Sequence, residues 1–239
     1  MGSPEIFVND TFNNRPEDFL NRGIKAAVGA LPVVGGPLNE FLAFVIGDPA
    51  QERRDDFMKA TLERLIRLEA ITESLRPENL RKNEQFHATF IQAVRLATTT
   101  ASAEKKKLLQ NAIINSAMGE VDETVRLLFI QMLDRITPMH AVLLAFFDNP
   151  RGNQAAVRKA ESISLGGALV HLIEAALPEI QSNGELLTRV VVDLHSMGLT
   201  TTNSVQGMMT GSGLLDRRST ELGRSFLTFI SDPETKTVP

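Results

Sequence analysis

Cysteine, tyrosine and tryptophan are all missing from these 239 residues. Without cysteine there is no disulfide framework, no thiolate metal site and no thiol nucleophile. The same absence suits a reducing cytoplasm. Without tyrosine and tryptophan the chain lacks two aromatic residues that dominate binding hot spots. Charge of one sign is not in excess either. Lysine and arginine number 25 against 29 aspartates and glutamates, a formal net charge of −4. That balance argues against nucleic-acid binding through bulk charge. The N-terminal stretch carries Glu5, Asp10, Glu17 and Asp18 and lacks the basic start and apolar run of a cleavable signal. What is present, 43% apolar and 23% charged residues, is the composition of a globular chain, not of a disordered, collagenous or rod-like one.

The apolar periodicity is helical. Leu31-Pro32-Val33-Val34-Gly35-Gly36-Pro37 breaks any helix, and a short apolar helix is expected over Leu38 to Ile46. Pro49 to Leu75 reads as one long helix with Met58, Thr61, Leu65, Leu68, Thr72 and Leu75 on a stripe. Further helices are expected over Glu78 to Leu96, Ala103 to Ala117 behind an N-cap at Ser102, Glu120 to Arg135, and Thr137-Pro138 to Phe147. Lys105, Lys106 and Lys107 are expected in water. Arg151 to Ser164 reads as polar with small residues. Leu165 to Leu177 reads as an apolar helix, and Gly184 to Met197 as another with Leu186, Leu187, Val190, Val191 and Leu194 inside and Gly198 as its C′ cap. Thr210-Gly211-Ser212-Gly213 reads as a hairpin tip. Thr220 caps a final helix, Glu221 to Ile230.

These elements predict a mainly α protein: a multi-helix bundle carrying a small winged-helix-like (α+β) C-terminal module. Three regions follow: an apolar Gly/Pro-rich helical segment over 1–50, a helical bundle over 51–164, and the winged-helix-like module over 165–239.

Few residues suggest chemistry. The segment from Ala26 to Ile46 contains one ionisable side chain, Glu40. Its small residues permit close helix contacts, yet Pro32, Gly35-Gly36 and Pro37 split it below the roughly 20 residues a spanning helix needs. Gly29, Gly35, Gly36, Leu38, Phe41 and Phe44 are the candidate residues for assembly or conditional membrane contact. Gly35-Gly36 would be the hinge between the two apolar pieces. From Gln181 to Pro239 five basic residues face six acidic ones. Arg189, Arg217 and Arg218 are the candidates for nucleic-acid contact, with Arg217 and Arg218 expected to project together beside the wing. Nucleic acid is nevertheless not the expected partner.

His87, His140, His171 and His195 fall on separate elements with no ligand spacing, so no metal is expected. Asp55-Asp56, Glu69/Glu73 and Asp122-Glu123 lie beside Arg or Lys, as solvated helix faces do. There is no P-loop, G-x-S-x-G or G-x-G-x-x-G. No catalytic residue, cofactor or enzymatic activity is expected.

Four stretches, in order, resemble bacterial proteins of the abortive-infection-alpha family. They are the Leu31–Pro37 turn followed by Glu52-Arg53-Arg54-Asp55-Asp56-Phe57, then Glu104 to Ile113, then Leu133 to Leu144, and finally Asp193 to Leu199 with Thr220 to Leu227. The resemblance covers most of residues 26 to 231. It implies a role in phage defence and defines no catalytic residues. The expected function is therefore a non-enzymatic interaction or membrane-acting assembly protein with a homo-oligomeric or protein partner. It is expected in the cytoplasm with conditional membrane association. A winged-helix DNA-binding regulator is the alternative.

Overall fold

A computed structural model describes residues 49–119, 122–180 and 184–235. Gly29, Gly35, Gly36, Leu38, Phe41 and Phe44 lie outside the described residues. Helix α1 spans Pro49–Glu69. It buries Phe57, Thr61, Leu65 and Leu68 along one stripe, the spacing that puts side chains on a single helix face. The expected continuation to Leu75 does not form. Thr72 is extended, with φ −135° and ψ 108°, and a 3-10 turn over Glu73–Leu75 follows. Leu75 is still fully buried, so the break redirects the chain without losing the apolar contact.

The helix expected over Glu78 to Leu96 is two helices. α2 is a single turn, Pro77–Leu80, opened by Pro77. α3, Glu84–Thr99, starts afresh because the Asn83 side chain accepts a hydrogen bond from the Phe86 N–H at 2.9 Å. Ser102 caps α4, Ala103–Met118, as expected. Asp122 caps α5, Glu123–Arg135, by accepting from the Thr124 and Val125 N–H groups. α6, Pro138–Asp148, begins at the Thr137-Pro138 step.

A helix then appears where a polar stretch was expected. α7, Gln154–Glu161, is capped by the Asn153 side chain and buries Ala156 and Ala160. The helix expected from Leu165 starts later. Gly167–Ala168 form strand β1, and α8 covers Leu169–Ala176. α9, Gly184–Ser196, has Leu187, Val190, Val191 and Leu194 inside, whereas Leu186 is exposed. Gly198 leaves it at φ +72°, the left-handed conformation that suits glycine at a C′ position.

β1 pairs antiparallel with β2, Met208–Met209, with Gly167 opposite Met209 and Ala168 opposite Met208. The expected hairpin tip is instead a one-turn helix, α10, Gly211–Leu214, with the Thr210 hydroxyl accepting from the Gly213 N–H. A hydroxyl that caps the turn holds those glycines in helical geometry rather than in a hairpin turn. α11, Glu221–Ile230, is capped by Thr220 as expected.

Buried side chains form one continuous cluster from Phe57 to Ile230. At its centre Phe129 meets Phe226 edge-on at 5.2 Å and Phe229 at 5.3 Å between ring centroids. Leu65, Leu68, Leu75, Ile114 and Ala117 make a smaller cluster under α1. Among the described residues no helix is long and apolar enough to cross a membrane.

Candidate functional site

Among the described residues the two most exposed large apolar side chains lie at or just before the two-stranded sheet. Leu165 is 98% exposed and Met208 72% exposed. The residue after Leu165 passes close to Met208: a Cβ at Gly166 would stand 3.5 Å from the Met208 Cε. Pairing of Ala168 with Met208 fixes the register. The sequence pattern placed Leu165 inside a helix. It lies instead in the bend before β1, with its side chain in water.

The segment from β2 through α10 is held by Arg218. Its guanidinium donates to the carbonyls of Leu214 at 2.9 Å, Asp216 at 2.5 Å and Gly213 at 2.7 Å, and to the Met209 sulfur at 3.2 Å. Arg218 is only 6% exposed. Burial lowers its pKa, partly offset by the Asp216 charge. A cation enclosed by carbonyls locks the segment from β2 through α10, since moving any of these acceptors leaves a buried charge short of partners.

This corrects the expectation that Arg217 and Arg218 project together. Arg218 faces inward and cannot reach a phosphate. Arg217 is exposed, donates to the Asp148 carbonyl at 2.9 Å and lies 3.6 Å from the Asp148 carboxylate. Arg189, also exposed, pairs with Asp193 one turn along α9 at 2.9 Å. The three candidate nucleic-acid contacts therefore do not form one free cationic face.

The lysine run is also divided. Lys105 is 8% exposed rather than in water. Its ammonium donates to the carbonyls of Leu133 and Ile136, at the end of α5. The negative end of a helix dipole and its orphan carbonyls attract such a cation. Burial pushes its pKa down to about 8, against the pull of the Asp134 carboxylate.

His140, buried nearby, accepts at Nδ1 from the Thr137 N–H at 3.1 Å. A backbone N–H can only donate, so the proton of the neutral ring sits on Nε2, 3.9 Å from Asp193. Desolvation lowers the His140 pKa. Asp193 opposes this, and the Lys105, Arg135 and Arg189 charges add to it. His140 thus serves the turn that opens α6. His195 Nδ1 lies 3.0 Å from the Thr200 carbonyl, and His171 lies 3.5 Å from Glu174. Among the described residues no group of three His, Asp or Glu side chains is placed to hold a metal ion.

A second charged centre joins α1 to the segment after α11. Arg64, buried on α1, reaches Asp232 at 2.9 Å, Glu234 at 3.1 Å and the Asn111 side-chain oxygen at 2.8 Å. Asn111 in turn donates to the Ile230 carbonyl at 2.9 Å. Nothing in the residue spacing pointed to this pairing, because its members are 168 and 170 positions apart. Compared with protein-family models, with curated proteins and with solved structures, the chain matches none.

Proposed function

We propose that this is a non-enzymatic bacterial interaction protein, acting in phage defence by assembling with itself or with a protein partner. The observation that carries the assembly reading is the exposure of two large apolar side chains, Leu165 just before β1 and Met208 on β2. Single exposed apolar side chains are ordinary on protein surfaces. Met208, however, sits on β2 next to Met209, whose sulfur the buried Arg218 holds, and backbone fixed in this way loses little freedom on binding. The phage-defence part rests on the family resemblance. The apolar segment over 26–46 stands in this reading as a further assembly surface that contacts membrane conditionally.

The module over 165–239 is proposed to be winged-helix-like. The order β1, α8, α9, β2, with β1 and β2 antiparallel, supports that reading. Such a module is used here for protein contact, since the arginine nearest the wing is buried.

Sedimentation velocity of the full chain and of L165D/M208D tests the assembly. The wild type is expected to sediment as an oligomer and the variant as a monomer with the same helical circular-dichroism signal. A wild type that stays monomeric at every concentration, or a variant that assembles equally well, overturns it. Phage plating on cells expressing either form then separates assembly from defence: protection that survives L165D/M208D would unlink the two.

A further inference from the structure

Between α1 and α4 lies an open cleft of about 390 Å³. Four cations line it: Arg64, Arg67, Lys106 and Lys107. The same cleft is lined by Asp232 and Glu234, from the turn after α11. Asp232 binds Arg64 at 2.9 Å and Lys107 at 3.1 Å. Glu234 binds Arg64 at 3.1 Å and Arg67 at 3.4 Å. Lys106 has no carboxylate within ion-pair distance among the described residues. Among the described residues four positive charges thus meet two negative ones, in a chain whose formal net charge is −4.

The donors are arranged as for an oxyanion. Arg64 presents Nε to one carboxylate and Nη2 to the other, while its Nη1 is held by Asn111. A guanidinium fixed on one side and offering two parallel donors on the other matches phosphate oxygens as well as carboxylates. A phosphate group placed where the carboxylates stand would take up the Arg64 Nε and Nη2 donors, and a second phosphate would add Lys106. The Asp232 carboxylate is itself held ionised: hydrogen bonds and the Arg64 and Lys107 charges lower its pKa, although desolvation pulls the other way.

We propose that this cleft binds a small phosphate-bearing anion with two or more negative charges, and that Asp232 and Glu234 are its internal competitors. Binding displaces the two carboxylates and detaches the turn Pro233–Thr235 from α1 and α4. The proposal is independent of Leu165 and Met208, which lie elsewhere in the chain.

Titration calorimetry of the full chain with inorganic pyrophosphate at low ionic strength tests it. Wild type is expected to bind weakly. E234Q, which leaves the Arg64–Asp232 pair in place, is expected to bind about tenfold more tightly, because one repelling charge has gone. R67M/K106M, which alters two side chains outside the core and leaves Arg64 untouched, is expected to lose about tenfold or more. Unchanged or weaker binding by E234Q overturns the competition. Unchanged binding by R67M/K106M places the anion elsewhere and overturns the site, as does the absence of heat with all three proteins. Flotation with phosphatidic-acid vesicles identifies the source of the phosphate. Flotation lost in R67M/K106M assigns a lipid headgroup, and pyrophosphate binding without flotation assigns a free anion.

Discussion

Lys105 holds its charge where water barely reaches, and the consequence is a pH dependence of defined sign. In the unfolded chain it titrates near the ordinary lysine value of 10.5, and in the fold at about 8. Between those values the unfolded chain keeps a proton that the folded chain has released. Stability therefore rises with pH across that window, by at most about 3 kcal/mol. His140 acts with the same sign at lower pH. Its folded pKa lies below 6.5, so the stability it contributes is present above that value and is lost as pH falls below it. Urea midpoints measured from acid to alkaline pH should climb in both regions for the wild type. Lys105→Met should flatten only the alkaline climb, and an unchanged climb would remove Lys105 as its source. Neither this lysine nor Arg218 was legible as a buried cation. Lys105 sits in a triple lysine and Arg218 beside a glycine-rich loop, and local charge patterns report solvation only when tertiary contacts do not intervene. The carbonyls that enclose them lie at or just past the ends of α5 and α10, and only the fold brings these there.

At the level of elements, two glycines set how closely segments approach. A Cβ at Gly223 would stand 2.1 Å from the Leu199 carbonyl oxygen, and one at Gly211 2.3 Å from that of Ala160. These are backbone atoms, so the helix must shift. Gly223→Ala should destabilise the protein by about 1–3 kcal/mol. Gly184→Ala, with nothing within 4 Å, should be neutral or stabilising by roughly 0.5–1 kcal/mol. Chemical denaturation checks the contrast, and equal effects would mean that α11 adjusts freely over Leu199. Helix starts were the most legible feature, since Ser102 and Thr220 act through side chains adjacent in sequence. The left-handed Gly198 was equally readable. α7 was not, because alanine is its buried residue and gives little hydropathic contrast. The single stretch from Glu78 to Leu96 misled for another reason: its apolar stripe begins only at Phe86, so the mostly polar residues before it carried no period that could mark the break at the Asn83 cap. Strands of two residues leave no period to read at all.

Across the whole molecule, the ring cluster of Phe129, Phe226 and Phe229 joins α5 to α11. Phe129→Ala should cost about 3–5 kcal/mol. Since the buried cluster is continuous from Phe57 to Ile230, the loss should appear as one unfolding transition moved to lower denaturant and not as a separate early step. Two resolved transitions in the circular-dichroism melt would show that the core divides. The mainly helical architecture followed from periodicity, but the closure of the chain on itself did not, because pairing over such distances leaves no trace in neighbouring residues. That closure also imposes an order in time. Arg64 leaves the ribosome 168 residues ahead of Asp232, an interval of roughly 8–34 s at about 5–20 residues per second. Until Asp232 and Glu234 emerge, α1 cannot settle against α4 without enclosing a cation short of its counter-charges. Docking of α1 is thereby deferred until residues 232–234 have been made, and a polypeptide stopped before residue 232 carries a built-in mark of incompleteness.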